Sequence, residues 1–309
     1  MKGIILYAKA CRKYLTDRDD ILFGMIQKEF NFKSSYGVTE IPKDTDIVIT
    51  VQQRLYSENE NNAMMYLTKL NKGIKLIGYL SDLDTLDYIP GRDIKMFDRY
   101  DLILSRYDYR FKKKYPQYVY KTIYLPNFFA PHNRYANLKF NISPINKILI
   151  TGRLFEPTRY PLRCYIAKNS NPSKVDIMPH PKGHVSKKKL KNKKFYIGDR
   201  YAKRLNDYFA CVTCCGLGCL LTKYLEIPAA GSLLIANETP DSKIAGFVPN
   251  EHFVPITKKN ALRVMYKCLE NPKKYNDIRK NGMKFVRENH SVKNRFEQLK
   301  QIIMELLNG

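Results

Sequence analysis

"KYLEIPAAGSLLIANE", Lys223 to Glu238, sets one carboxylate, Glu226, in an otherwise apolar run, five residues ahead of a glycine, Gly231. The apolar spacing around Glu226 predicts a helix that begins near "GLGCLLTK", and "SLLIA" beyond the glycine predicts a β-strand. A helix that leads through a glycine into a short apolar strand is the repeating element of a parallel sheet covered by helices. A carboxylate in the early part of such a helix is costly to bury unless donors satisfy it. It suits the vicinal diol of a ribose, whose two hydroxyls it can accept, or it pairs on the surface with Lys223 three residues before it. The residues themselves leave both open.

The same alternation extends in both directions. "GIILYA" (3–8), "TDIVITV" (45–51), "GIKLIGYL" (73–80) and "YDLILS" (100–105) predict strands, and "DDILFGMIQKEF" and "NNAMMYLTKLNK" between them carry apolar residues at helical spacing. Prolines 126, 131 and 144 mark a polar, irregular stretch. A second series follows: "NKILITG" (146–152), "VDIMPH", "KFYIG", "YFACVTC", "SLLIA" and "HFVPI", with helical stretches "YPLRCYIAKN" and "DRYAKRLN". From Lys258 to Leu307 the pattern is helical, punctuated at Asn271-Pro272 and at Asn281-Gly282. The expected organisation is a Rossmann-like domain over 1–130, a linker over 131–145, a second Rossmann-like domain over 146–290 and a closing helix over 291–309 that braces the first domain. Two such halves present the carboxyl ends of their strands to a cleft.

With 309 residues, 44% hydrophobic and 27% charged, the chain is long enough for two cores and too apolar to be disordered throughout. A net charge of +25 implies anionic or phosphorylated partners without saying which. Only six residues, Gly3 to Ala8, separate the first charged ones, too few for a secretory leader's apolar core, and no later stretch is long enough to span a membrane. The expectation is a soluble cytoplasmic protein. Seven cysteines, four of them in "CVTCCGLGC" (211–219), fit small buried thiols better than disulfides or zinc, because no second CxxC or histidine pair completes a tetrahedral set. No GxGxxG or GxxxxGK[ST] follows a strand, which argues against the common dehydrogenase and NTPase phosphate loops.

The runs "KYLEIPAAGSLLIANET", "GFVPNEHFVPI" and "CLENPKKYNDIRKNGMKFVRENHSVKNRFEQL" resemble the C-terminal part of group 1 glycosyltransferases, closest to the spore-maturation-protein-like branch. The resemblance covers about 148–299. It implies the GT-B fold, an α/β architecture of two Rossmann-like domains facing a cleft with a C-terminal helical segment. It implies transfer of a sugar from a nucleoside-diphosphate sugar, as substrate, to a glycan or other acceptor, with no cofactor and no metal required. On this resemblance Glu226 is the ribose ligand, with Gly231 following, and Gly218 stands where many relatives carry a further Glu. Leu217 and Gly218 then offer backbone N–H groups to the donor phosphates. Arg153 with Gly152 is similar to the family's Gly-Arg at a strand end. Relatives often carry Lys five residues on, where this chain has Thr158, so that Arg159, Arg163 or Lys223 would take its place.

Other candidates come from the residues alone. Asp82 and Asp84, just past a strand's carboxyl end, stand where a general base would, or where a turn-forming Asp would. His180 in "MPHPKGHV" is a candidate proton carrier or metal ligand, or a loop residue. Tyr196 and Asp199 in "YIGDRY" are candidates for contact with a nucleotide base. The run Lys187, Lys188, Lys189, Lys191, Lys193 and Lys194, with Lys112 to Lys114, offers an anionic surface a contact, or is a solvated loop. A nucleic-acid partner is not expected from a lysine run without interleaved aromatics. The alternative retained is a catalytically idle basic α/β protein that binds nucleic acid through its charge.

Overall fold

A computed structural model describes residues 1–7, 18–36, 41–52, 70, 73–80, 97–129, 132–154, 160–180 and 195–308. The chain divides into two compact units, Met1–Pro126 with Arg295–Gly309, and Asn127–Asn294.

The first unit holds a six-stranded sheet: β1 Gly3–Tyr7, β2 Lys33–Tyr36, β3 Ile47–Gln52, β4 Lys75–Leu80, β5 Leu102–Ser105 and β6 Thr122–Tyr124. Every neighbouring pair is parallel, and the order is β2-β1-β3-β4-β5-β6. Its central strands are apolar on both faces, with Ile5, Val48, Ile77 and Ile103 fully buried, as strands covered on both sides must be. The helix Arg18–Phe30 buries Leu22, Phe23 and Ile26 against the sheet. Near the carboxyl ends of β4 and β5, buried Arg106 is ion-paired with Asp19 and donates from Nε to the Tyr79 hydroxyl at 2.6 Å. The closing helix, Val292–Asn308, lies mostly in this unit, where Arg295 Nε donates to the Pro126 carbonyl at 2.9 Å and Lys300 pairs with Glu29.

The second unit holds β7 Ile145–Ile150, β8 Val175–Ile177, β9 Tyr208–Val212, β10 Leu233–Ala236 and β11 Val254–Pro255. These too are all parallel, in the order β11-β10-β9-β7-β8. Read from the β8 edge, this repeats the order of the first sheet's leading five strands, the doubly wound 2-1-3-4-5 arrangement whose direction reverses between its first and third strands. One face packs on the helices Asp199–Asp207 and Lys223–Ala229, and the other on Pro161–Asn169 and Ala261–Glu270.

Several expectations change on contact with the structure. Phe195 to Gly198, the described part of "KFYIG", do not form a strand. Ile197 and Gly198 lead instead into the helix Asp199–Asp207, with Gly198 at φ 61° and the guanidinium carbons of Arg200 and Arg204 at 5.5 and 5.2 Å from the Tyr196 ring. Asn281-Gly282 does not break its helix, which runs from Asn276 to Asn289. A side chain at 282 would collide with the His252 carbonyl oxygen, so the glycine serves close packing. The helix bearing Glu226 starts at Lys223, the last residue of "GLGCLLTK", after Gly218 has turned left-handed at φ 75°. Residues 131–145 carry the short helix His132–Ala136 and lie within the second unit. They are stitched there by buried Arg279 and half-buried Arg287. Arg279 Nη2 donates to the Asn141 carbonyl at 2.9 Å, and Arg287 Nη2 donates to the Leu138 carbonyl at 2.8 Å.

Those arginines also fasten the end of the Lys223–Ala229 helix, since Arg287 Nε donates to Ala229 O at 3.0 Å and Arg279 Nε to Gly231 O at 3.1 Å. Gly231, at φ 84°, makes the left-handed turn that lets its N–H and that of Ser232 return to the carbonyls of Pro228 and Ile227. Gly231→Ala forces a Cβ into that conformation and against Met283 Sδ at 3.3 Å. We expect it to lower unfolding stability by about 1–2 kcal/mol, read from the urea midpoint, with an unchanged native circular dichroism spectrum. An unaltered midpoint would contradict the strained turn.

Candidate functional site

Because the second sheet is wholly parallel, its loops after β7, β8, β9, β10 and β11 emerge at one edge. Open α/β sheets bind ligands there, beside the strands where the order reverses. Those strands are β7 and β9. Thr151, Gly152 and Arg153 follow β7, and Thr213 to Gly218 follow β9.

Gly152 adopts φ 96°, and a side chain there would overlap the guanidinium of Arg163 and meet Lys223 Cε at 3.1 Å. The Lys223 chain therefore lies directly against the turn that ends β7. Lys223 opens the helix Lys223–Ala229, and Glu226, one turn on, shares its face. Lys223 Nζ stands 6.0 Å from the centre of the Tyr201 ring, and the Tyr201 hydroxyl donates to Glu226 Oε2 at 3.4 Å. Burial, reinforced by the Glu226 carboxylate, holds the Tyr201 phenol well above its ordinary pKa, so it remains a donor at neutral pH. A half-buried carboxylate with one long hydrogen bond from a phenol keeps acceptor capacity for two hydroxyls. Gly152, Arg153, Lys223 and Glu226 thus belong to one neighbourhood, while Gly218, on the loop after β9, accepts from the Asp241 N–H at 3.2 Å.

Among the described residues, the remaining sequence candidates do not present a free group to this neighbourhood. Arg163 is only 2% exposed, with both terminal nitrogens on backbone carbonyls, so it does not offer a free cation to a ligand. Gly231 sits beyond the far end of the Glu226 helix, where it reverses the chain. Asp199 projects into solvent and pairs with Arg134 at 2.8 Å, while Tyr196 packs on the core beneath two arginines. His180 follows β8 on the sheet's edge and is half-buried. Asp82, Asp84, Arg159 and the lysines 187–194 lie outside the described residues, as does the stretch 61–69. Lys112, Lys113 and Lys114 are exposed at the end of the helix Asp108–Lys114.

Two features were not anticipated. Asn237, just past β10, exchanges hydrogen bonds with the Cys215 backbone, accepting from its N–H at 2.9 Å and donating to its carbonyl at 2.9 Å. The Tyr224 hydroxyl in turn donates to the Asn237 carbonyl at 2.8 Å. The second feature is a cavity of about 490 Å³ at the same edge, on the side of the helices Pro161–Asn169 and Ala261–Glu270, lined by Leu162, Cys215, Glu238, Pro249, Ile256 and Lys258 among others. Asn237 carried a signal as a polar residue closing the apolar strand "SLLIA". The cavity carried none, since its lining comes from five separate segments of the chain.

The cysteines behave as buried thiols. Cys211, Cys214, Cys215 and Cys219 are each at most 3% exposed, and burial pushes the Cys211 and Cys214 thiols up to about 12. Among the described residues no group of His, Cys, Asp and Glu is arranged to hold a metal ion, and no helix is long and apolar enough to cross a membrane.

Comparison with known proteins adds the following. A family described as glycosyl transferase-like matches residues 174–301. A comparison with curated proteins finds no significant match. Among solved structures, an alpha-glucosyltransferase in complex with UDP and a 13-mer DNA aligns with a TM-score of 0.66 at 12% identity, over 98% of this chain and 99% of that one. Sucrose-phosphate synthase from Thermosynechococcus elongatus gives 0.65 at 12% identity over all of both chains. The Anabaena protein HepE in complex with UDP-glucose gives 0.63 at 10% identity, over 99% of this chain and all of that one. The chain accordingly has the GT-B fold, two parallel sheets flanked by helices.

If the thiols in and just after β9 are shielded as the structure shows, brief iodoacetamide treatment of the native protein at pH 8 should leave Cys211 and Cys214 unmodified. Both should react fully in guanidinium chloride, as read by peptide mass spectrometry. Rapid labelling of Cys214 without denaturant would contradict this packing.

Proposed function

We propose that the protein is a glycosyltransferase that takes a nucleoside-diphosphate sugar on its second unit and passes the sugar to an acceptor held by its first. The observation that carries this reading is the coincidence of two independent facts. The glycosyl transferase-like match, 174–301, contains Lys223 and Glu226, and these are the residues that stand on one helix face beside Gly152 at the reversal of the strand order. Relatives of the same fold are recorded with UDP and UDP-glucose, which supports a uridine donor. The run from Lys223 to Gly231 supports a place in the spore-maturation-protein-like branch.

In this reading Glu226 accepts the two ribose hydroxyls, with Tyr201 holding the carboxylate in place. Lys223, Arg153 and the backbone N–H groups after β9 meet the diphosphate, and they stabilise the charge that grows on the nucleoside diphosphate as it departs. The protein's contribution is orientation and this electrostatic support. His180, and Asp82 or Asp84 beyond β4, are the proposed carriers of the acceptor's proton.

A second reading, an idle protein that holds nucleic acid, is favoured by the net charge of +25 and by the exposed Lys112 to Lys114. It predicts oligonucleotide affinity that falls steeply with salt and is indifferent to Glu226.

A thermal-shift panel of nucleotide sugars, read at low and physiological salt, separates the two. One nucleotide class should stabilise the wild type, and Glu226→Gln should weaken it by about 1.5–3 kcal/mol, roughly one to two orders of magnitude in affinity. Stabilisation by oligonucleotides alone, equal in both proteins, would refute the transferase reading.

A further inference from the structure

The carboxyl edge of the second sheet contains a buried cation that no step above uses. Arg163 lies in the first turn of the helix after β7. Its Nη1 donates to the Thr151 carbonyl at 3.1 Å and its Nη2 to the Cys214 carbonyl at 2.9 Å. Thr151 is the first residue past β7, and Cys214 the second past β9. One planar fork therefore ties together the two loops between which the strand order reverses. The Tyr160 ring covers the guanidinium at 4.0 Å, and among the described residues its buried Nε has no hydrogen-bond partner.

The guanidinium also fills the space where a side chain of residue 152 would sit, with Lys223 Cε facing the same point at 3.1 Å. The Arg163 fork and the Lys223 chain thus meet beside the Gly152 turn. The fork is rigid, because a bidentate guanidinium held by two carbonyls and an aromatic face has little freedom. It fixes the left-handed turn at Gly152, and with that turn the direction of the following peptide N–H and the path of Lys223. A buried positive charge beside that turn also favours a nearby anion, since little water intervenes to screen it.

We propose that Arg163 is a positioning residue for the diphosphate end of the donor. Without touching the ligand, it clasps the β7 and β9 loops at the spacing at which Lys223 and the loop N–H groups converge on one anion. The proposal rests on the donor-site reading above and adds to it a residue and a part of the ligand. Its signature is selective: loss of the clasp weakens binding of the phosphates and not of the nucleoside.

The test compares Arg163→Met and Arg163→Lys with wild type, measuring affinity for UDP and for uridine by competition, with the melting temperature of each unliganded protein alongside. UDP affinity should fall at least about tenfold in the Met variant. The Lys variant keeps the charge and loses the fork, and it should fall between Met and wild type. Uridine affinity should stay within about twofold throughout. Equal losses for UDP and uridine, or no loss for either, would reduce Arg163 to a structural strap and overturn the proposal. Should the Met variant fail to fold, the Lys variant alone decides by the same ratio. Wild type that binds neither UDP nor uridine would instead defeat the uridine-donor reading, and the clasp proposal with it, a result told apart because it needs no variant.

Discussion

A parallel strand that stops at its sheet's carboxyl edge leaves carbonyls pointing into the loops, and each must find a donor or face water. At the second sheet's edge neighbouring backbone N–H groups serve the last strand carbonyls, such as those of Val212 and Ile235, and side chains serve the loop carbonyls beyond them. Arg163 serves Thr151 and Cys214, Asn237 serves Cys215, and Tyr224 serves Asn237 in turn. The loops after β7, β9 and β10 are therefore tied to one another and to the helix that begins at Lys223. Everything attributed to the site, from the Gly152 turn to the face shared by Lys223 and Glu226, depends on that accounting being closed by protein groups.

The same economy holds at the opposite end of the Glu226 helix. Pro228 sits in its last turn, Gly231 turns the chain back, and buried Arg279 and half-buried Arg287 take up the carbonyls of Gly231 and Ala229. A seven-residue helix has little stability of its own. Held at both ends, it presents Glu226 as a fixed group, which a recognition carboxylate requires. The two arginines also anchor 138–141, so the segment that enters the second unit is part of its core packing.

Much of this architecture was legible in the sequence, because strands covered on both faces are continuous apolar runs. β1, β3, β4, β5, β7, β9 and β10 all fall within or beside the stretches that periodicity marks. β2, "KSSY", was not legible, since an edge strand pairs through its backbone and carries no apolar pattern. "KFYIG" misled for the converse reason: its alternation answers to two arginines over Tyr196, not to a neighbouring strand. Within the site, Glu226 announced itself as a lone carboxylate among apolar residues. Arg163 was named only through the family resemblance, as a cation meeting the ligand, because "YPLRCYIAKN" reads as a surface helix, and only the fold shows that its arginine points inward to the ends of β7 and β9. Residues whose task is set by partners far along the chain leave no local pattern to read.

The most direct measurement is a crystal structure of the protein grown with UDP. The account predicts the ribose hydroxyls on Glu226 and the diphosphate beside Gly152, Arg153 and Lys223. Nucleotide found instead in the cavity beside Ile256 and Lys258, or against the first unit with Glu226 untouched, would contradict it.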